Sequence, residues 1–240
     1  MKNSMSYTYG LKRGVPIALG YFTVSFGFGI SAVMQGLFPY QAVLTSIANL
    51  TSAGQVAGVG VMVGGGLVLE MILAQLIINI RYALMGIALT QRLDEKFTLK
   101  HRIIAAFGIT DEVFIMAASE RDRITPKYMY GLITLPILGW TAGTALGAFL
   151  GQVLPQSASA SLSLAIYFMF VAIIVPPSRK DKNIMVVVLI SAAASCAIYY
   201  IEFLKKYISS GFSVIICAVV ASLVMAKIGK REESEDEDFE

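Results

Sequence analysis

The sequence is short of charge. Only 15% of its 240 residues are Asp, Glu, Lys or Arg, whereas a soluble domain of this length carries roughly 25%. Hydrophobic residues make up 56% of the chain, and the mean hydropathy is +0.70. This balance leaves no room for a sizeable soluble domain and predicts an integral membrane protein.

Histidine and cysteine are also scarce, which narrows the possible chemistry. The single histidine, His101, lies in a basic stretch, and Cys196 and Cys217 lie within apolar runs, where thiols are usually buried rather than paired. The chain has no Gly-x-Ser-x-Gly, His-Glu-x-x-His or P-loop motif, and no basic stripe for nucleic acid. We therefore expect no enzymatic activity, no metal or other cofactor, and no nucleic-acid partner.

Long apolar runs dominate what is present. They approach or exceed the roughly 20 residues that span a bilayer. The runs cover about 14–36, 42–64, 66–90, 103–119, 129–153, 160–177, 184–203 and 210–227. In lipid such runs must be helical, because the backbone finds no water to bond. The sequence predicts an all-α, polytopic membrane protein with about seven or eight membrane helices.

The basic residues predict an orientation. They cluster before the first run and at 92–102, 121–127, 179–182 and 227–231. Because basic loops stay inside, we expect a cytoplasmic membrane location with both the N-terminus and the C-terminal tail in the cytoplasm. Eight complete crossings would put 92–102 outside, so we expect either 42–64 or 103–119 to be re-entrant or to enter only part way.

The chain is predicted to form one membrane domain, 1–231, followed by a disordered acidic tail, 232–240. A faint repeat with an offset of 116 residues runs through it. The matched residues are Thr23, Gly27, Ser31 and Pro39 in one copy and Gly139, Gly143, Gly147 and Pro155 in the other. This is either a close-packing motif used twice or two halves, 14–120 and 129–227, with a site between them.

Arg81 is the first candidate site residue. It interrupts the apolar run and stays charged in proteins, which costs at least ~2.5 kcal/mol at the centre of a membrane helix. Asn79 and Gln75 are four residues apart and share a helical face, while Glu70 lies about 16 Å away along the helix, too far to pair with Arg81. Arg81 either binds an anionic substrate group or serves as a structural ion pair or a snorkelling side chain.

Thr110-Asp111-Glu112 forms the second candidate group, inside another apolar run. Thr110 suits the N-cap of a helix that starts at Asp111. Carboxylates in such places often carry protons or cations, although an interfacial cap outside the lipid is the alternative. We expect Asp111 to pair with Arg81.

Gln55 is the third candidate. It follows the short, easily unwound stretch 51–54, which is rich in small and hydroxyl residues. Its carboxamide either hydrogen-bonds a bound amino acid or makes a simple helix contact.

These blocks resemble the AzlC-like family, the large subunits of two-component branched-chain amino acid exporters. The blocks stand in the family's order as Ser25-Phe26-Gly27, Leu50-Thr-Ser-Ala-Gly-Gln55, Asn79-Ile-Arg-Tyr82 and Thr110-Asp-Glu112, with a similar later region at Gly139-Trp-Thr-Ala-Gly143. Ser25 stands where the family has proline, Thr51-Ser52 where it has Ala-Gly, and Tyr82 where it has histidine.

The resemblance implies a secondary transporter that exports branched-chain or similar small apolar amino acids, driven by an ion gradient, with a small AzlD-like membrane partner. Arg81 would attract the substrate carboxylate, and Asp111 or Glu112 would take the ammonium or a coupling proton. Asn79 and Gln55 would supply oriented hydrogen bonds. The rival interpretations are a non-transporting membrane scaffold or assembly subunit, and a passive channel for small solutes.

Overall fold

The computed structural model describes residues 5–151 and 153–228, and helices form its regular structure apart from one isolated bridge between Leu93 and Ile124. In chain order the helices are α1 Tyr7–Met34, α2 Pro39–Ala48, α3 Ser52–Val63, α4 Val68–Thr90, α5 Leu99–Phe107, α6 Asp111–Ala118, α7 Pro126–Leu150, α8 Gln156–Ser163, α9 Ala165–Lys180, α10 Lys182–Tyr200, α11 Glu202–Tyr207 and α12 Ser210–Ile228. The predicted all-α membrane protein is confirmed. The predicted acidic tail lies outside the described residues.

Four of the described helices are long and apolar enough to cross a membrane: α1, α4, α7 and α10. Two of the apolar runs that resembled single crossings are instead pairs of short helices. The run 42–64 is divided into α2 and α3, with 10 and 12 residues. The run 103–119 is divided into α5 and α6, with 9 and 8 residues. Each helix of these pairs is too short to cross the bilayer alone.

Helices α1 and α7 pack closely along their length, because glycines let their backbones touch. A Cβ on Gly131 would lie 2.1 Å from the carbonyl oxygen of Tyr7, and a Cβ on Gly147 would lie 2.0 Å from that of Phe26. The contacts advance in the same direction along both helices, so α1 and α7 run parallel and begin at the same membrane face. Close packing is confirmed for Gly139, Gly143 and Gly147 of the second copy, whereas the repeat itself and the division into two halves stay predictions.

Helix α4 ends at the face where α1 and α7 begin. The segment after it pairs with the segment before α7, since the Asp94 N–H donates to the Ile124 carbonyl and the Ile124 N–H donates to the Arg92 carbonyl, both at 2.9 Å. Arg13 and Arg123 lie at the same end of the bundle. We call this end the basic face, and α4 therefore runs antiparallel to α1 and α7.

Both short-helix pairs are re-entrant. Helices α2 and α3 join the end of α1 to the start of α4, and both points lie at the face opposite the basic face. Helices α5 and α6 join the end of α4 to the start of α7, and both points lie at the basic face. The sequence led us to expect one re-entrant segment, and the structure has two. With both pairs returning to their own side, the basic stretch 92–102 falls on the same face as Arg13 and Arg123.

Short polar side chains make the two breaks possible. At the first break, the Asn49 Oδ1 accepts from the Thr51 N–H at 3.0 Å. At the second, the Thr110 Oγ1 accepts from the Val113 N–H at 3.4 Å. These caps replace hydrogen bonds that the interrupted helices lose, which is how an irregular backbone persists at membrane depth.

Candidate functional site

The two breaks line one cavity with a volume of about 280 Å³. Its walls are formed by Tyr21 of α1, Leu50, Ser52 and Ala53 at the first break, Ile78, Arg81 and Tyr82 of α4, Thr110, Asp111 and Glu112 at the second break, Trp140 of α7, and Phe170 and Ile174 of α9. A water molecule occupies about 30 Å³ in the liquid. The cavity is therefore large enough for a small organic molecule, and we call it the central cavity.

Arg81 and Asp111 form an ion pair across the central cavity, as the sequence predicted. The Arg81 Nη2 lies 2.9 Å from the Asp111 Oδ2, and their side chains are 45% and 27% exposed. The same Nη2 donates to the Tyr82 Oη at 3.1 Å, and the guanidinium carbon lies 4.9 Å from the centre of the Tyr82 ring. Both charges are therefore open to the cavity while held in place by protein groups.

Glu112 is held by a residue from the first helix. The Tyr21 Oη lies 2.5 Å from the Glu112 Oε2 and 2.6 Å from the Thr110 Oγ1. A tyrosine hydroxyl has one proton, so it donates to only one of these oxygens at a time. Thr110 also caps α6, as predicted. Tyr21 thus ties the start of α6 to α1 and places a third oxygen beside the two carboxylates.

Gln55 lies behind the cavity wall, 3% exposed. Its Oε1 accepts from the Trp140 Nε1 and its Nε2 donates to the Ser46 Oγ, both at 2.9 Å. Ser46 in turn lies 2.7 Å from the Thr144 Oγ1. Of the two roles left open by the sequence, the structure places Gln55 in a contact that joins α2, α3 and α7.

Asn79 also belongs to a network beside the cavity rather than to its lining. Its Nδ2 donates to the Gln75 Oε1 at 3.0 Å, and the Gln75 Nε2 donates to the Gly54 carbonyl at 2.7 Å. Asn49 donates to the same Gln75 oxygen at 3.2 Å. Among the described residues, the Asn79 Oδ1 is the one buried side-chain oxygen or nitrogen without a hydrogen-bond partner. The structure therefore brings together Arg81, Thr110, Asp111 and Glu112, and sets Asn79 and Gln55 outside them.

Two lining residues were missed by sequence reasoning. Tyr21 and Trp140 meet edge to face with ring centres 5.3 Å apart. Trp140 carried a signal, because it is the only tryptophan and lies within an apolar run, where its N–H needs an acceptor. Tyr21 is one of 11 tyrosines, and nothing in its local sequence distinguishes it.

Residues 16–154, more than half of the chain, match the protein family described as "AzlC protein". The chain belongs to the AzlC family. The matched range contains both breaks and every candidate site residue, so the resemblance carried by those blocks is confirmed.

Two relatives are also described as membrane proteins. The AzlC-family chain is 26% identical over 231 residues to "Inner membrane protein YgaZ" of Escherichia coli K12, covering 93% of this chain and 92% of that protein. It is 27% identical over 186 residues to an "Uncharacterized membrane protein" of Archaeoglobus fulgidus, covering 77% of this chain and 81% of the relative. No solved structure matches the chain. Family and relatives together support a membrane protein with a role in transport.

Proposed function

We propose that this AzlC-family chain is a secondary transporter that exports branched-chain or similar small apolar amino acids across the cytoplasmic membrane, together with a small AzlD-like membrane subunit. The observation that carries the proposal is the Arg81–Asp111 ion pair, 2.9 Å long, in a cavity between two helix breaks. Discontinuous helices that meet at mid-membrane commonly form the substrate sites of secondary transporters.

The charges of the cavity match those of a zwitterion. An amino acid carries one carboxylate and one ammonium, and Arg81 and Asp111 offer the opposite charges within one hydrogen-bond length of each other. Without a substrate the two side chains neutralise each other. A substrate that inserts between them keeps every charge paired, so the low-dielectric interior is never left with a lone ion.

The helix starts add a second source of positive potential. Helix α3 begins at Ser52 and α6 at Asp111, and both of these residues line the central cavity. The free N–H groups at helix N-termini attract anions. The start of α3 therefore attracts a carboxylate bound at Arg81. At the start of α6, Asp111 and Glu112 already supply the negative charge.

Glu112 is the group we assign to a coupling proton, with Asp111 as the ammonium partner. The Tyr21 hydroxyl lies within hydrogen-bond distance of both Glu112 and Thr110. A proton gained by Glu112 therefore changes which of the two oxygens accepts the hydrogen bond from Tyr21. This couples the charge state of the cavity to the hydrogen bonds that hold α6 against α1.

The basic face is assigned to the cytoplasm by the positive-inside rule. Helix α6 begins at the central cavity and runs toward that face. Beyond its end, the Glu120 Oε1 lies 2.9 Å from the Arg13 Nε and accepts from the Tyr128 hydroxyl at 2.9 Å. The Arg92 guanidinium also donates to the Glu120 carbonyl. We assign opening toward the cytoplasm to a movement of α6 relative to this anchor.

Counterflow of labelled leucine in proteoliposomes, with the small partner co-reconstituted, tests the proposal. We expect leucine uptake by the wild type and its loss in Arg81→Ala and Asp111→Asn. Arg121→Ala is the matched control, because Arg121 is exposed at the basic face, and it should transport like the wild type. Unchanged counterflow in both site variants would overturn the assigned roles. Flux that ignores the proton gradient would favour a passive channel.

A further inference from the structure

An apolar cavity adjoins the central cavity, with a volume of about 390 Å³. It lies between α4, α5, α7 and the segment after α4, and its lining includes Gly86, Leu89, Phe97, Ala105 and Ile109. Leu89, Phe97 and Ala105 are each at most 5% exposed, so this part of the wall belongs to the protein interior. Tyr82 lines both cavities and forms the partition between them.

Gly86 leaves part of this space empty. It is the only glycine in α4, and a Cβ built on it would meet only the Ile109 Cδ1, at 3.9 Å. The glycines between α1 and α7 are different, because a Cβ there would collide with the backbone of the facing helix. Glycine weakens a helix relative to alanine, yet no neighbouring helix requires one at position 86. What the missing side chain provides is cavity volume.

We propose that this apolar cavity is the subsite for the aliphatic side chain of the transported amino acid, and that Tyr82 is a movable partition in front of it. The inference rests on the proposed function, since it takes the charged end of the substrate to bind at Arg81. Gly86 is five residues beyond Arg81, about 7.5 Å along the helix and about 140° around it, whereas Tyr82 and Gly86 are four residues apart and share a face. A small amino acid whose carboxylate lies at Arg81 therefore reaches this cavity with its side chain passing the Tyr82 ring.

The contacts of Arg81 connect carboxylate binding to the partition. Its Nη2 lies 2.9 Å from the Asp111 carboxylate and donates a hydrogen bond to the Tyr82 hydroxyl at 3.1 Å. A substrate carboxylate that binds this nitrogen competes with the neutral hydroxyl, and charge-assisted hydrogen bonds are the stronger ones. The Tyr82 ring is then released and opens the apolar cavity. A ligand without a carboxylate leaves the partition in place.

Filling the cavity at Gly86 tests the subsite. Transport of leucine and of alanine is compared in proteoliposomes for the wild type, Gly86→Ala and Gly86→Val. One methylene in an apolar pocket changes discrimination by roughly 10-fold or more, so we expect the leucine-to-alanine ratio to fall at least about 10-fold in Gly86→Val and less in Gly86→Ala. Gly20→Ala on α1 is the control, because a Cβ there has no neighbour within 4 Å, and its ratio should equal that of the wild type.

The opposite change supplies a second readout should Gly86→Val fold poorly. Ile109→Ala enlarges the cavity, and we expect phenylalanine to compete better against leucine than it does in the wild type.

Tyr82→Phe tests the partition, because it keeps the ring and removes the hydroxyl that Arg81 holds. Isopentylamine, which lacks a carboxylate, should then compete with leucine in Tyr82→Phe but not in the wild type.

The subsite is overturned if the Gly86 variants transport leucine and alanine in the wild-type ratio, or lose both equally. If isopentylamine competes equally in the wild type and in Tyr82→Phe, Tyr82 is not the partition. These results leave the proposed function standing as long as transport still requires Arg81 and Asp111. A wild-type chain that moves neither amino acid contradicts the proposed function and the subsite together.

Discussion

The two re-entrant pairs enter from opposite faces and reach the same cavity, yet their breaks use different chemistry. The break between α2 and α3 is surrounded by neutral carboxamides that bind one another and the backbone. The break between α5 and α6 carries two adjacent carboxylates that face the cavity and an arginine from α4. We propose that the first pair is structural and that the second pair binds the substrate.

The first break is held along its length. Asn49 Oδ1 accepts from both the N–H and the hydroxyl of Thr51 at 3.0 Å. Gln75 joins α4 to the Gly54 carbonyl, and Gln55 joins α3 to Trp140 of α7. Apart from the unpaired Asn79 Oδ1, the carboxamides around this break are paired with protein groups, and their charge does not change with pH.

The second pair has polar contacts at both ends of α6, while Val113 and Ala117 between them are fully buried in the core. Tyr21 binds its start, and the contacts of Glu120 with Arg13 and Tyr128 anchor the chain beyond its end. Asp111 and Glu112 are the first two residues of α6 and line the cavity, where a bound ligand can reach them.

The largest expected effect is on transport and comes from the charges of the second break. Arg81→Ala should lower leucine counterflow at least ~10-fold, because hydrogen bonds to charged groups contribute about 1.5–3 kcal/mol. It also leaves Asp111 without its cation, so the yield of folded protein should fall. The double variant Arg81→Ala/Asp111→Asn removes both charges and should recover that yield without recovering transport. Recovered transport would refute the role of the pair in binding substrate.

A smaller effect is expected at the anchor of α6. Tyr21→Phe removes the only hydroxyl that the structure shows bound to Glu112, at a cost of about 1–3 kcal/mol for a carboxylate left without its donor. We expect a lower melting temperature in detergent and slower proton-driven export of leucine. Tyr40→Phe, a change of an exposed tyrosine, is the matched control. Export that follows the proton gradient as in the wild type would exclude Tyr21 from coupling.

At the first break we expect loss of stability without loss of transport. Gln55→Leu leaves the Trp140 N–H without its acceptor, which costs about 1–3 kcal/mol, while the Ser46 hydroxyl keeps its contact with Thr144. The melting temperature should fall, while counterflow per folded molecule should stay near that of the wild type. If counterflow falls as far as in Arg81→Ala at unchanged stability, Gln55 contacts the substrate and the contrast between the two breaks is lost.

The smallest effects are expected from a pair of glycines in α3. A Cβ on Gly54 would lie 2.1 Å from the Thr51 Oγ1 and 2.6 Å from the Gln75 Oε1, whereas a Cβ on Gly58 would come no closer than 3.4 Å to Gln75. Gly54→Ala should disturb the carboxamide network and lower the melting temperature slightly. Gly58→Ala should change it little. Equal melting temperatures for the two variants would show that the network around the first break accommodates the added methyl group without loss of stability.

Much of the candidate site could be predicted because it follows local rules. Thr110 was expected to cap α6 from its residue type and position, and it does. The Arg81–Asp111 contact was expected because a charge within an apolar run needs a partner, and the structure confirms it. The two re-entrant pairs were harder to foresee, since an apolar run has the same composition whether it crosses the bilayer or turns back within it. Tyr21 and Trp140 join the site only through the packing of α1 against α7.

Composition and local pattern alone determined that this chain lies in a membrane, is helical, and cannot leave its buried charges unpaired, because lipid provides no water to satisfy them. The tertiary structure decided which residues share the cavity. It brought Tyr21 to Thr110 across 89 residues of chain, and it set Gln55 behind Trp140 rather than inside the cavity. The physical reason is that these contacts depend on the direction and register of whole helices, which are set by close backbone packing between segments far apart in the chain.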